Sequence, residues 1–239
     1  MTASTSGSTQ TPNTPATAQT PETPAGQETA ETRATAAPSF TDPVDDQRLE
    51  RVAAALKEKN FDVEILDDAT AARARVKDLI PEGAAVFTVA SETLRLSGID
   101  EDINDSGRYD SVKARGTAMD RATQMAEIWR MLACPDVVVG SVAAVTETGS
   151  LVAASASGSQ LPAYAGSAPR VILVVGAQKV VPDLETALRR VDEYCVPLED
   201  ERARKVYGVP SALNRLLVLN AEPHPGRATV LLLREAIGF

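Results

Sequence analysis

The chain has 239 residues, and its 24 Lys and Arg against 33 Asp and Glu give a net charge of −9 at pH 7. A negative charge repels nucleic acid and anionic lipid, so it disfavours a general nucleic-acid binder or a membrane-surface protein. No apolar run reaches the roughly 18 residues of a membrane helix, and the first residues lack the pattern of a secretion signal, so we expect a soluble, cytoplasmic protein.

Residues 1–41 are predicted to form a disordered tail rich in Thr, Pro and Ala. The first 39 residues contain no Val, Ile, Leu, Phe, Tyr or Trp, so they cannot offset an ordering entropy of roughly 1–2 kcal/mol per residue. The sequence Thr41-Asp42-Pro43 is a helix-start signal, because a capping side chain precedes a proline. We therefore predict a single domain over residues 42–239.

The rest of the chain alternates between helical and extended patterns. Apolar residues at helical spacing predict helices over residues 44–59, 68–79, 117–133 and 182–194. We expect Met125 and Trp129 of the third helix to lie in the core. Short apolar runs predict strands over residues 61–66, 84–90, 136–141, 171–175, 215–219 and 228–232. This alternation predicts an α/β fold with an open, mostly parallel sheet and flanking helices.

Polar residues follow three of the predicted strands, where ligands of an open parallel sheet bind. Ser91 and Thr93 either cap the next helix or face a bound anion. Gly140 and Ser141 either let a ligand approach the backbone or serve packing. Lys179, in the connection between residues 176 and 182, is either an anion ligand beside helix amides or a solvated lysine.

Glu147 lies between two threonines and between two apolar segments. A carboxylate in apolar surroundings must be solvated, hydrogen-bonded or partly protonated. The last two states suit a general acid/base or a carboxylate nucleophile, which makes Glu147 the candidate catalytic residue. The competing interpretation is a hairpin turn with residues 147–149 at its tip.

The chain offers few residues for a metal or a nucleotide. Its single histidine, His224, stands between two prolines, and neither of the common glycine-rich nucleotide-binding motifs occurs. Cys134 and Cys195 are far apart in the sequence, which suits a reducing compartment, and two cysteines alone cannot hold an iron–sulfur cluster. We expect no metal or cofactor on this chain.

Residues 143–152 (AAVTETGSLV), residues 170–188 and the Pro197-Leu198 pair together resemble the LUD (lactate utilisation) domain, the family of lactate utilisation protein C. The likeness runs from about residue 44 to residue 239. It implies an α/β fold similar to that of the sugar-isomerase and CoA-transferase group (NagB/RpiA/CoA transferase-like). The family's motifs fall on residues 91–94, on Thr146, Glu147 and Gly149, and on a glycine-rich loop of which Gly158 remains.

The resemblance implies a role in oxidation of L-lactate to pyruvate, beside partner subunits that carry the iron–sulfur clusters. Two alternatives stay open. One is a small-anion binding protein, in which Ser91, Ser141 and Lys179 hold a carboxylate or a phosphate. The other is an acyl-CoA binding protein or a CoA-transferase-like enzyme, in which Glu147 attacks an acyl group.

Overall fold

The computed structural model describes residues 40–239, so most of the predicted tail lies outside the described residues. In this part of the chain there are ten strands, β1 to β10 in chain order: Asp62–Leu66, Ala85–Thr88, Asp110–Ser111, Val137–Gly140, Ala144–Thr146, Leu151–Ser155, Arg170–Gly176, Val180–Val181, Arg215–Leu219 and Ala228–Leu233. Six of them form one parallel sheet in the order β1-β10-β7-β4-β2-β3. The predicted α/β fold with a mostly parallel sheet is confirmed.

Eight α-helices, α1 to α8, lie in the same residues: Asp46–Glu58, Ala69–Leu79, Glu92–Leu96, Ile99–Asp105, Val112–Ala118, Met125–Ala133, Leu184–Arg190 and Val196–Tyr207. Alternate residues of each central strand enter two different apolar clusters. In β7, Leu173 packs in the cluster that contains Leu49 of α1, whereas Ile172 packs in the cluster that contains Val76 of α2. Both faces of the sheet are therefore covered, which explains the uninterrupted apolar strands.

A second, four-stranded sheet has the order β8-β5-β6-β9. β5 and β6 form an antiparallel hairpin, β6 pairs antiparallel with β9, and β5 pairs parallel with β8. The pattern predicted the strand at residues 215–219 but not the separate sheet to which it belongs. The strands of this sheet are two to five residues long, and strands this short show little periodicity in the sequence.

The predicted helix over residues 117–133 is wrong. The chain forms α5, then an irregular turn, and then α6. The Asp120 carboxylate accepts from the Ala122 amide at 2.9 Å and from the Thr123 hydroxyl at 2.8 Å, so it stabilises a turn in competition with the helix. Met125 and Trp129 are 36% and 43% exposed rather than buried in the core, because they lie on a face of α6 that is exposed to solvent.

Two other helix boundaries also differ from the prediction. α1 begins after Asp45, whose carboxylate accepts from the Arg48 amide at 2.8 Å, rather than at the Thr41-Asp42-Pro43 signal. The helix predicted to end at residue 194 continues through a π-helical turn over Val191–Cys195 into α8. Pro197 follows that turn at the start of α8, where its missing N–H is tolerated.

None of the helices in residues 40–239 combines the length and the apolar character that crossing a bilayer requires.

Candidate functional site

The parallel sheet brings four chain segments to one edge. β2, β4, β7 and β10 run in the same direction, so the residues that follow them leave the sheet at its carboxyl edge. The register places Gly140 beside Leu173 and Leu233 beside Gly176. The segments that begin after these strands therefore meet, and they carry Thr93, Ser141, Lys179 and residues 234–239.

Lys179 is the centre of this meeting point. Its side chain is buried, with 1% of the residue exposed. Nζ donates to Thr93 Oγ1 at 2.9 Å, to Ser141 Oγ at 3.0 Å and to the Phe239 carbonyl oxygen at 2.9 Å. Thr93 and Ser141 are neutral hydroxyls, and no Asp or Glu side chain of residues 40–239 is hydrogen-bonded to Nζ. We call Thr93, Ser141 and Lys179 the Lys179 cluster.

Burial lowers the pKa of Lys179 from its usual 10.5 to about 7. The positive charge of Arg190 lowers the pKa of Lys179 further, whereas the Cys195 sulfur raises it. Arg190 is itself buried; it donates to the Ala143 carbonyl and, at 3.0 Å, to the Cys195 sulfur. Two buried cations therefore lie near each other, and no Asp or Glu is hydrogen-bonded to either among residues 40–239.

Ser141 of the Lys179 cluster is held in place by further hydrogen bonds. Ser141 Oγ donates to the Val174 carbonyl at 2.7 Å. The buried Tyr164 hydroxyl donates to the Ser141 carbonyl at 3.1 Å and fixes the main chain at that point. Gly140 makes room for this ring, because a Cβ there would lie 1.7 Å from the Tyr164 oxygen. Of the two interpretations of Gly140, the structure favours packing.

The sequence did not reveal that residues 237–239 complete the site. Gln178 Nε2 donates to the Ile237 and Gly238 carbonyls, each at 2.9 Å, and the Thr93 hydroxyl donates to the Ile237 carbonyl at 3.2 Å. A Cβ on Gly238 would lie 2.3 Å from Thr93 Oγ1. The only sequence signal was the position of this segment, directly after the last apolar strand.

Glu147 occupies the β5–β6 hairpin turn rather than the Lys179 cluster. Its carboxylate pairs with Arg48 Nε of α1 at 2.5 Å, and the two side chains are 35% and 30% exposed. The amide of Glu147 donates to the Val181 carbonyl at 2.9 Å. The hydrogen-bond partners of Glu147 differ from those of Lys179, so the structure does not join these two residues in one cluster. The hairpin-tip interpretation describes the geometry.

The remaining candidates serve local structure. Ser91 caps α3 through the Leu94 amide at 3.4 Å. Thr146 Oγ1 accepts from the Ser150 amide inside the hairpin turn at 2.9 Å. Gly149 has a φ of +80° and packs against the α1 backbone, where a Cβ would lie 2.8 Å from the Ala55 carbonyl carbon. Gly158, also at a φ of +80°, lies against the Arg215 side chain instead of the Lys179 cluster.

Two surface cavities lie elsewhere, one between α2 and α4 and one around residues 81–84 and 136–137. Within residues 40–239 no three His, Cys, Asp or Glu side chains are grouped as metal ligands.

A family model for the LUD domain matches residues 49–232. The chain belongs to the LUD domain family. A crystal structure of a DUF162 family protein from Deinococcus radiodurans is similar to this LUD domain with 15% identity and a TM-score of 0.45, over 80% of this chain and 99% of that one. No curated protein matches the chain. The match to the LUD domain family model includes both the Lys179 cluster and the Glu147 hairpin, and it ends before residues 237–239.

Proposed function

We propose that this LUD domain binds a small carboxylate, L-lactate or pyruvate, at the Lys179 cluster and acts in lactate utilisation. The observation that carries the proposal is the buried Lys179 ammonium, which is hydrogen-bonded to two hydroxyls and to no Asp or Glu side chain of residues 40–239. A buried cation without a counter-ion is costly, and an anionic ligand removes that cost. A charge-assisted hydrogen bond to a carboxylate is about twice as strong as one to a neutral carbonyl.

The chemistry of the cluster suits a 2-hydroxy or 2-oxo acid. Lys179 supplies the positive charge for the carboxylate, and the Thr93 and Ser141 hydroxyls can donate to or accept from a substituent on the neighbouring carbon. The site offers no second cation hydrogen-bonded to these groups in the described chain, so one negative charge fits it better than the two of a phosphate ester.

The family supports a place for this chain in the oxidation of L-lactate to pyruvate. That reaction removes two electrons and two protons from the substrate. We assign electron acceptance to partner subunits with iron–sulfur clusters, as the lactate-utilisation systems of the family imply. This chain then contributes carboxylate binding. Deletion of its gene is expected to abolish growth on L-lactate while leaving growth on pyruvate intact, and normal growth on L-lactate would contradict the role.

Calorimetry tests the binding site directly. The full chain is titrated with L-lactate, pyruvate and inorganic phosphate at millimolar concentration, beside Lys179→Met and the matched control Lys205→Met, whose exposed lysine pairs with Glu201 on α8. We expect L-lactate or pyruvate to bind the parent and the control alike, and at least tenfold more weakly to Lys179→Met. Absence of heat with all three ligands, or equal binding by Lys179→Met, would contradict the proposal.

A further inference from the structure

The segment formed by residues 237–239, which we call the covering segment, occupies the space in front of Lys179. Each of its three carbonyl groups accepts a hydrogen bond from the site: Ile237 from Thr93 and Gln178, Gly238 from Gln178, and Phe239 from Lys179. The Ile237 amide donates to Gln178 Oε1 at 3.3 Å. The polar groups that a ligand would use are therefore already engaged.

The covering segment is attached to the domain differently from the chain that precedes it. Arg234 and Glu235 are fixed by main-chain bonds, from the Arg234 amide to the Leu66 carbonyl and from the Ala177 amide to the Glu235 carbonyl, each at 3.0 Å. After Glu235, no bond between main-chain groups joins the segment to the rest of the described chain. The Gln178, Thr93 and Lys179 side chains hold it instead.

The covering segment and a bound carboxylate exclude each other. Gly238 lies so close to Thr93 that a Cβ would be 2.3 Å from Oγ1 and 2.7 Å from the amide nitrogen. The Phe239 carbonyl oxygen stands 2.9 Å from Lys179 Nζ, which is the distance of a ligand oxygen.

We propose that the covering segment is an internal occupant of the carboxylate site, and that a bound carboxylate displaces it. The inference rests on the proposed function, because it takes the ligand of Lys179 to be a carboxylate. The affinity measured for the full chain is then the affinity of the open site multiplied by the fraction of molecules in which the segment is released. Weakening the segment raises the apparent affinity without any change in the ligand's own contacts.

Two variants release the segment without altering the Lys179 cluster. One lacks residues 237–239. The other is Gln178→Ala, which removes the donor to two of the carbonyls and the acceptor of the Ile237 amide. Gln124→Ala is the matched control, because its side-chain oxygen accepts from the Asp120 amide at 3.0 Å in the turn before α6. We expect both releasing variants to bind L-lactate or pyruvate at least tenfold more tightly than the parent and the control.

Two further measurements report on the segment itself. Saturating L-lactate or pyruvate is expected to speed deuterium exchange at the Ile237 amide of the full chain at least tenfold. Acetylation of Lys179 by acetic anhydride at pH 8, followed by mass spectrometry, is expected to be at least tenfold faster in the deletion variant without any ligand. Lys205 serves as the internal reference for reagent activity, because its side chain is exposed.

The possible outcomes separate this inference from the proposed function. If the full chain binds a carboxylate and both releasing variants bind it with the same affinity, the internal-occupant proposal is overturned while the carboxylate site stands. If neither the full chain nor the deletion variant binds L-lactate or pyruvate, the proposed function is overturned. If Lys179 is nevertheless acetylated faster in the deletion variant, the result still supports the inference that the covering segment shields Lys179. Equal acetylation in the two proteins would overturn that inference too.

Discussion

Arg227 and Lys179 are both cations removed from water, but they differ in how their charge is balanced. Arg227 is 9% exposed and pairs with Glu222, itself 5% exposed, through Nη1 at 2.6 Å. Its other nitrogens donate to the Ala163, Tyr164 and Ala168 carbonyls. Lys179 Nζ also donates three hydrogen bonds, but no Asp or Glu side chain of residues 40–239 is among its partners. Arg227 is therefore balanced by an acidic side chain, whereas Lys179 is not.

The difference separates a cation that stabilises the fold from one that we propose binds a ligand. A neutralised ion pair with all its donors satisfied holds segments together and resists change. Burial lowers the pKa of the Lys179 ammonium, and shifted pKa values are common at functional sites. The two are connected, because Arg227 holds the Tyr164 carbonyl at 3.1 Å and the Tyr164 hydroxyl holds Ser141, which accepts from Lys179. Arg227 thus helps to position Ser141, which is a hydrogen-bond partner of Lys179.

The largest expected effect comes from removing the charge that balances Arg227. Glu222→Gln keeps the size of the side chain but leaves a buried guanidinium without a counter-ion, and loss of one partner of a buried pair costs about 3–5 kcal/mol. Urea unfolding at pH 7 measures the loss. Glu201→Gln, in an exposed pair with Lys205, is the control and should leave the free energy of unfolding nearly unchanged. Equal stabilities of the two variants would contradict the inference that Glu222 stabilises the buried Arg227.

The second effect is a dependence of stability on pH that belongs to Lys179. Its pKa is about 7 in the folded state and near 10.5 when unfolded, so the unfolded chain binds more protons between these values. Stability of the parent relative to Lys179→Met should therefore rise by about 2 kcal/mol from pH 7 to pH 9. Below about pH 6 the difference should be constant, because the lysine is then protonated in both states.

Chemical unfolding of the two proteins across this pH range makes the comparison. Arg190 and Cys195, which also act on Lys179, are present in both proteins, so their titration largely cancels in the difference. Parallel stability curves for the parent and Lys179→Met would mean that the pKa of Lys179 is not lowered in the folded state, because a nearby negative charge balances the ammonium.

A smaller effect is expected from cutting the connection between the two cations. Tyr164→Phe removes the hydroxyl that donates to the Ser141 carbonyl and leaves the ring in place. Loss of one such bond costs about 1 kcal/mol. Because Ser141 is then less firmly held, we expect carboxylate binding to weaken severalfold, with the site otherwise intact. Calorimetry and urea unfolding of the same preparation measure both quantities, and a loss of stability with unchanged affinity would show that the two sites are independent.

The sequence predicted the parts of this picture that follow from local chemistry. Apolar runs predicted β2, β4 and β7 as buried strands, and the rule for parallel sheets directed attention to Ser141, Lys179 and Thr93. These three do meet. Ser91 follows the same strand as Thr93, but its hydroxyl caps α3 and has no bond to Lys179. A strand-end position brings a residue to the edge and does not decide which way its side chain turns.

The remaining features depend on contacts between distant segments. Glu147 was expected in apolar surroundings because residues 142–145 and 151–152 on either side are apolar, yet its partner, Arg48, lies 99 positions away on α1. The covering segment follows an ordinary strand and has no motif of its own. Nothing in the sequence distinguishes Tyr164 from other core aromatic residues. The reason for Gly140 follows from the structure, because a Cβ at that position would lie 1.7 Å from the Tyr164 hydroxyl oxygen.

The smallest expected effect concerns Glu147 and bears on the last open alternative for this LUD domain. Glu147→Gln removes an ion pair whose members are about one-third exposed, so we expect a loss of stability of at most about 1 kcal/mol and unchanged binding of L-lactate or pyruvate. Arg48→Gln is the matched variant and should give the same small loss, because it breaks the same pair from the other side. If Glu147 is instead a nucleophile for acyl groups, acetyl-CoA should leave a covalent acyl adduct on the parent that is absent from Glu147→Gln and present on Arg48→Gln. Detecting that adduct would move the chemistry from the Lys179 cluster to the hairpin turn, and its absence would leave Glu147 as the residue that ties the hairpin to α1.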